Sequence, residues 1–330
     1  SFQSNPDTAN TNFSQLTNIY DKQDFIRQYV TNYLAYNWLP SGSIIYRGVR
    51  HVNFRVAYSK TLIRPEMNEI VLSAQRDPIQ ELIVYGNNRL TNGVFTNYDF
   101  RTDWFIGDEE LVSGSVFYKT VVDQLERVYT NGSIDPYGFQ TSYVSFRNNP
   151  SIGRVYGIEA EFRKNLKQLF PAGKYIFIGA NLMLARSRTR LDSVEYNVVS
   201  RLDRNASWYR PLVDQPDLAL NVNIDFDYPK WGTQFNVLLN KTGKRLSDIN
   251  SDGSPNIYEY PAATLDAVLS QRIWKRLEFK AFVKNLLNST TYYRYANPGP
   301  SKTYGEYNQE YIRRAFNYGS VYTFGFKYTL

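Results

Sequence analysis

Apolar and polar residues alternate with period two along most of this chain, in runs longer than the strands of ordinary globular domains. Residues 218–228 show the pattern plainly. Leu218, Leu220, Val222, Ile224, Phe226 and Tyr228 hold the even positions; Ala219, Asn221, Asn223, Asp225 and Asp227 hold the odd ones. A strand sends successive side chains to opposite faces, so one face here is apolar with an aromatic end and the other carries amides and carboxylates. The same alternation sets Val52, Phe54, Val56 and Tyr58 against Asn53, Arg55 and Ser59, and Tyr98, Phe100 and Trp104 against Asn97, Asp99, Arg101 and Asp103. Tyr156, Ile158, Ala160 and Phe162 oppose Glu159, Glu161 and Arg163, and Leu277, Phe279, Ala281 and Val283 oppose Glu278, Lys280 and Lys284. Residues 176–184 and 322–330 repeat it.

A soluble sandwich also alternates, but its strands are usually only about 5–6 residues long. Strands of about 10 residues, with apolar faces ending in Tyr or Trp, suit a tilted crossing of a bilayer. The connections support this reading. Short turns are predicted at 107–109, 228–232 and 274–276, and a slightly longer one at 167–174. Long polar loops are predicted at 61–92, 127–151, 188–216, 246–260 and 288–315. Alternating short and long connections are those of an outer-membrane barrel, and they put the C-terminus on the periplasmic side. The expected fold class is all-β, a transmembrane antiparallel β-barrel of which about 11 strands are visible over 41–330. Residues 1–40 read as an external loop region. Within it Phe25, Ile26, Tyr29, Val30, Tyr33 and Leu34 fit a short helix or an irregular strand, and 41–47 form a strand that turns at Arg47-Gly48-Val49.

Composition narrows the chemistry. Among 330 residues there are 28 Tyr, no Cys and one His. That excludes a disulfide scaffold, a Cys nucleophile and a multi-His metal site. No run of 18 apolar residues forms a membrane helix. The net charge of +7 is spread among acids rather than gathered in a stripe, so nucleic acid is not an expected partner. The start at Ser1-Phe2-Gln3 reads as a mature product or a piece of a longer chain.

Two loops carry candidate binding chemistry. Residues 288–315 contain Tyr292, Tyr293, Tyr295, Tyr304 and Tyr307 with Arg294, a set suited to gripping a ligand or a surface lipoprotein, or simply to anchoring at the interface. Residues 248–259 fit the spacing of a calcium loop. Asp248, Asn250, Asp252 and Glu259 would supply side-chain oxygens and Ser254 a carbonyl. The predicted flanks are strands rather than the helices of an EF-hand, and a plain turn-rich loop is the competing reading.

An ordered set of stretches from about residue 40 onward resembles the C-terminal barrel half of a TonB-dependent outer-membrane receptor, of the kind common in Bacteroidetes. The set runs from Asn53-Phe54-Arg55-Val56-Ala57-Tyr58 and Arg64-Pro65-Glu66 through Gly86-Asn87-Asn88-Arg89-Leu90 and Tyr156-Gly157-Ile158-Glu159. It ends in Tyr258-Glu259-Tyr260-Pro261 and Lys284-Asn285-Leu286-Leu287-Asn288. The resemblance implies a 22-stranded plugged barrel whose plug and N-terminal half lie outside this chain or in another one, with TonB acting through the plug. It implies energised import of a scarce nutrient, without bond chemistry. Arg55, Asp99, Arg101, Asp103, Glu159, Glu161, Arg163, Asp225, Asp227, Glu278 and Lys280 would then face the lumen and hold the plug, or pair across neighbouring strands. The chain's final residue is Leu330, where the family often ends in an aromatic. The alternatives are a passive porin-type channel, a structural or secretion-linked barrel, and an outer-membrane hydrolase built on His51.

Overall fold

The computed structural model describes residues 36–77, 82–107, 110–134, 140–202, 206–251, 253–296 and 312–329. The helical spacing at 25–34 lies outside them, as do nearly all of the 1–40 region and Leu330. In chain order the strands are β1 (Ser41–Val49), β2 (Val52–Ile63), β3 (Ala74–Asp77), β4 (Leu82–Tyr85), β5 (Gly93–Gly107), β6 (Glu110–Val122) and β7 (Gln124–Ile134). Then come β8 (Gln140–Asn149), β9 (Gly153–Asn165), β10 (Ile176–Arg190), β11 (Tyr209–Arg210), β12 (Leu218–Tyr228), β13 (Thr233–Thr242) and β14 (Arg245–Asn250). The last are β15 (Ile257–Tyr260), β16 (Thr264–Trp274), β17 (Leu277–Lys284), β18 (Thr291–Tyr295), β19 (Ile312–Phe316) and β20 (Val321–Tyr328).

Eleven of these pair in the order β1-β2-β5-β6-β9-β10-β12-β13-β16-β17-β20, every neighbour antiparallel, with the two-residue β11 added beside the end of β10. The register aligns like with like across the wall. Val56, Phe100, Val116, Ile158, Leu184 and Leu218 stand opposite one another in one row on six successive strands. Asn53, Asp103, Ser113, Glu161, Asn181, Asn221, Asn240 and Thr264 form a row on the other face across eight. Among the described residues nothing covers the apolar face: Val56, Val116 and Ile158 are 56%, 51% and 53% exposed. A soluble sandwich would bury these residues against a second sheet, so that reading is excluded.

Aromatic residues bound the apolar band. Toward the long connections Tyr58, Tyr98, Tyr118 and Tyr156 are consecutive register partners. Toward the short turns Tyr175 meets Tyr228 edge-on at 4.6 Å and Tyr228 meets Trp231 at 4.9 Å, with Trp274 75% exposed nearby. From Leu218 to Tyr228 the strand runs about 33 Å, which at a barrel tilt corresponds to roughly 25 Å of apolar height. Every residue of β1 and of β20 is exposed, and each strand is paired on one side only among the described residues.

The first turn is displaced from its predicted place. β1 continues through Gly48, whose missing Cβ makes room for the Tyr46 ring (an added Cβ would stand 2.1 Å from the hydroxyl), and the chain reverses at Arg50-His51, with His51 at φ 62°.

The predicted long loops depart further from expectation. They carry β3, β4, β7, β8, β14, β15, β18 and β19, which join into a second, eight-stranded sheet in the order β19-β18-β15-β14-β7-β8-β4-β3. Two of its pairings are parallel and link different connections: Ile83 with Tyr143, and Ile249 with Val128. Leu82, Tyr129, Val144 and Ile257 form its buried cluster. A second cluster, Phe117, Val121, Val155, Ala185 and Leu212, sits where the polar face of the wall meets these connections. Gly157 is required there, because an added Cβ would stand 2.3 Å from the Leu184 carbonyl oxygen and 2.6 Å from the Phe117 ring. The connection 191–217 adds a helix, Ser193–Leu202.

The uncovered apolar face gives a directional prediction. Val116→Lys should cost about 2–4 kcal/mol of folding stability in a bilayer. Ser115→Lys, one residue away on the polar face and opposite Glu159, should be tolerated. Denaturant titration of the protein refolded into lipid vesicles checks both.

Candidate functional site

Alternation delivers the charged side chains to the polar face, and register places them in pairing distance. Arg101 Nε donates to Asp103 Oδ1 at 2.6 Å and its Nη2 donates to Glu161 Oε2 at 2.6 Å. Ser115 donates to Glu159 at 3.1 Å. Asp225 accepts from Asn223 at 2.6 Å and from Asn236, Asp227 accepts from Gln234 at 3.4 Å, and Lys280 stands 3.5 Å from Glu278, which also accepts from Ser270. Arg163 lies over the Phe177 ring at 5.9 Å, Arg55 is the register partner of Arg101, and Asp99 that of Ala57. All eleven predicted lumen residues therefore share one face; Glu159, Asp225, Asp227 and Glu278 bond to a neighbouring strand, Arg101 to Asp103 and Lys280 to Glu278 within a strand, and Arg101 reaches Glu161 across the intervening β6. A recess of about 270 Å³ opens among Arg101, Ser113, Glu159, Glu161, Asn181 and Met183.

The loop-borne sheet holds a second constellation, which the sequence analysis missed. Glu126 on β7 is fully buried, and the Arg210 guanidinium donates to it at 2.7 Å and to Glu195 Oε1 at 2.7 Å. Arg147 on β8 stands 3.1 Å from Glu126 and 3.1 Å from Asp192, and also donates to Glu195. Gln124 and Asn149 each donate to Glu126 at 2.8 Å. Burial pulls Arg210 down, but Glu126 and Glu195 outweigh it and its proton is held above the ordinary arginine range. One local signal was available. Asp192-Ser193-Val194-Glu195 has the spacing of a helix start, and Asp192 indeed accepts from the Glu195 amide at 2.7 Å. The partners on β7 and β8 lie 45 residues or more upstream and have no local signature.

The motif stretches act as joints. Asn87 donates from its backbone to the Glu69 carbonyl at 2.6 Å and from its side chain to the Phe146 carbonyl at 2.9 Å. Asn285, at φ 52°, receives its capping contact by donating to Asp266 at 2.8 Å, and its side chain donates to the Gly319 carbonyl at 2.9 Å. His51 accepts from Arg50 at 3.0 Å in its turn, an arrangement without a nucleophile beside it among the described contacts.

The described residues of the candidate calcium set have these partners in the structure. Asp248 is buried between Arg127 at 2.9 Å and Arg313 at 3.6 Å. Glu259 accepts from Arg245 at 2.7 Å. Asn250 donates to the Pro255 carbonyl, Ser254 lies in the turn between β14 and β15, and Asp252 lies outside the described residues. Among the described residues no three His, Asp or Glu side chains gather as a metal requires.

The tyrosine-rich segment is β18 rather than a free loop. Tyr293 and Tyr295 pack against the buried cluster of the second sheet. Burial, and then the Glu259 carboxylate, push the Tyr293 hydroxyl up to about 12. On the opposite face Arg294 sits over Tyr292 at 4.8 Å and over Tyr260 at 5.1 Å. Tyr304 and Tyr307 lie outside the described residues.

Residues 2–286 match the family model described as TonB dependent receptor-like, beta-barrel. No curated protein matches the chain. Among solved structures, the ferric citrate transporter in its unliganded form is 12% identical with a TM-score of 0.53, covering 88% of this chain and 38% of that one. The ferric yersiniabactin uptake receptor of Yersinia pestis is 16% identical with a TM-score of 0.51, covering 87% and 36%. A variant of the ferric enterobactin receptor of Pseudomonas aeruginosa, bound to enterobactin, is 16% identical with a TM-score of 0.51, covering 88% and 40%. These likenesses show the fold. The chain spans about two-fifths of the length of those structures.

The buried charge network generates the test for this site. Arg210→Met leaves Glu126 and Glu195 buried with one shared guanidinium, and should destabilise the loop-borne sheet by about 3–5 kcal/mol. Hydrogen exchange should quicken in β7, β8 and the 193–202 helix while the wall strands stay protected.

Proposed function

The chain belongs to the TonB-dependent receptor-like β-barrel family, and from that premise we propose that it forms half the wall and the ligand-facing loops of an outer-membrane receptor for energised uptake of a scarce nutrient. The observation that carries this reading is the pairing of opposites across one sheet. Among the described residues an uncovered apolar face bounded by aromatics backs on a continuous polar face, and both edge strands are paired on one side only. In hydrocarbon each unpaired backbone group costs several kcal/mol, so β1 and β20 close against further strands of the same barrel. Short turns and the C-terminus then lie on the periplasmic side, and the second sheet on the outside.

In this reading the polar face encloses a plug, and TonB pulls on that plug from the periplasm. The ion pairs around Arg101 and Glu161 line the wall that the plug and the cargo slide past. The external sheet presents its half-buried tyrosines and its arginines to ligand and to a surface lipoprotein. The wall itself carries out no bond chemistry.

Radiolabelled ferric siderophores, cobalamin and oligosaccharides would be supplied to cells making the receptor that contains this chain, with and without TonB. Accumulation of at least one label should require both. Equal accumulation without TonB would identify a passive channel instead.

A further inference from the structure

Resting on the reading of the sheet as an outer-membrane wall, we propose that Arg154, Arg186, Arg188 and Arg190 form a docking site for the phosphorylated headgroup of an outer-leaflet lipid. The site lies on the outward face of β9 and β10. Arg186, Arg188 and Arg190 continue the outward series Ile178, Ala180, Leu182 and Leu184 along β10. Arg186 is the register partner of Tyr156, the last of the tyrosine row, and Arg188 stands directly opposite Arg154. That pair lies two residues, about 7 Å, beyond the tyrosines, at the level where headgroups meet the aromatic belt.

All four side chains are exposed, and among the described residues none has an ion-pair partner. Several arginines within the connections at this end of the molecule are matched, Arg127 to Asp248, Arg147 and Arg210 to Glu126, and Arg245 to Glu259, whereas Arg154, Arg186, Arg188 and Arg190 are gathered on one outward face of two paired strands. Like charges directly opposite each other on a sheet repel, so Arg154 and Arg188 call for an anion from outside. The neighbouring rings shape the site. Arg188 lies over Tyr209 at 4.8 Å and Arg190 over Trp208 at 5.0 Å, and Trp208 stacks on Tyr196 at 3.5 Å. A ring covers one face of a guanidinium and leaves its N–H edge free, the edge that takes a phosphate in a forked pair. Immediately toward the membrane lie the exposed side chains of Ile158 and Leu184. Phosphate donors above an apolar slope fit an anionic lipid, with its acyl chains along the wall, better than a free anion.

The receptor containing this chain, purified from outer membranes in neutral detergent, would be titrated with monophosphorylated lipid A, with the dephosphorylated lipid and with inorganic phosphate. Fluorescence of Trp208, assigned by its loss in Trp208→Phe, is the readout. The phosphorylated lipid should give a saturable change, weakened roughly tenfold or more in the R154Q/R186Q/R188Q variant, and neither control should reproduce it. Equal binding by the variant, equal binding of the dephosphorylated lipid, or saturation by inorganic phosphate alone would each overturn the proposal. Both proteins should fractionate with the outer membrane and show heat-modifiable mobility. A wild type missing from that membrane would overturn the wall reading itself, a result distinct from loss of lipid binding.

Discussion

A backbone amide or carbonyl surrounded by hydrocarbon has no water to turn to, and this molecule is organised around that constraint. Each wall strand pairs with a neighbour over eight or more residues, and the alternation of side chains then follows from the pleat. The apolar row from Val56 to Leu218 and the polar row from Asn53 to Thr264 are two sides of the same ladder. A slip of one residue between any two strands would interchange them. Register is therefore held by solvation on both faces at once, and the wall needs no packed core of its own. Its buried apolar side chains gather where the long connections fold over it.

Those connections solve a different problem. They stand in water, where a strand pair alone is marginal. Leu82, Tyr129, Val144 and Ile257 supply a small dry cluster, and charge supplies the rest. Glu126 is shared by two guanidiniums and two amides, so its burial is compensated on every side. Such a network specifies one arrangement of β7, β8 and the 193–202 helix, since removing any member strands another in low dielectric. Asp248 and Glu259 belong to the same logic: Asp248 is matched to Arg127 and Arg313 from two other connections, and Glu259 to Arg245 on the neighbouring strand of its own.

The stretches shared with the receptor family gain a physical meaning from their positions. Asn285 occupies the left-handed region, which asparagine tolerates better than most residues. From there it ties β16, β17 and the approach to β20. Gly86 lies where an added Cβ would stand 2.0 Å from the Val71 carbonyl oxygen, and the next residue, Asn87, joins two connections. Each such residue marks a joint between segments apart in the chain.

The alternation at 218–228 or 277–284 needs only the neighbouring residues to be read, because a period of two is local and the membrane acts on each strand separately. The alternating wall strands and the common face of their charges were accordingly legible in the residues alone, apart from the reversal at His51, which waits on how Tyr46 lies over Gly48. The second sheet was not legible. β4, β14 and β15 are four to six residues long, too short for a period to declare itself, and each takes one of its two partners from another connection. The same holds for Glu126 with Arg210, and for Asp248 with Arg127 and Arg313. Composition and pattern determined which side of each strand meets oil and which meets water. Only the tertiary structure decided which charges meet each other, because that depends on contacts between residues far apart in the chain.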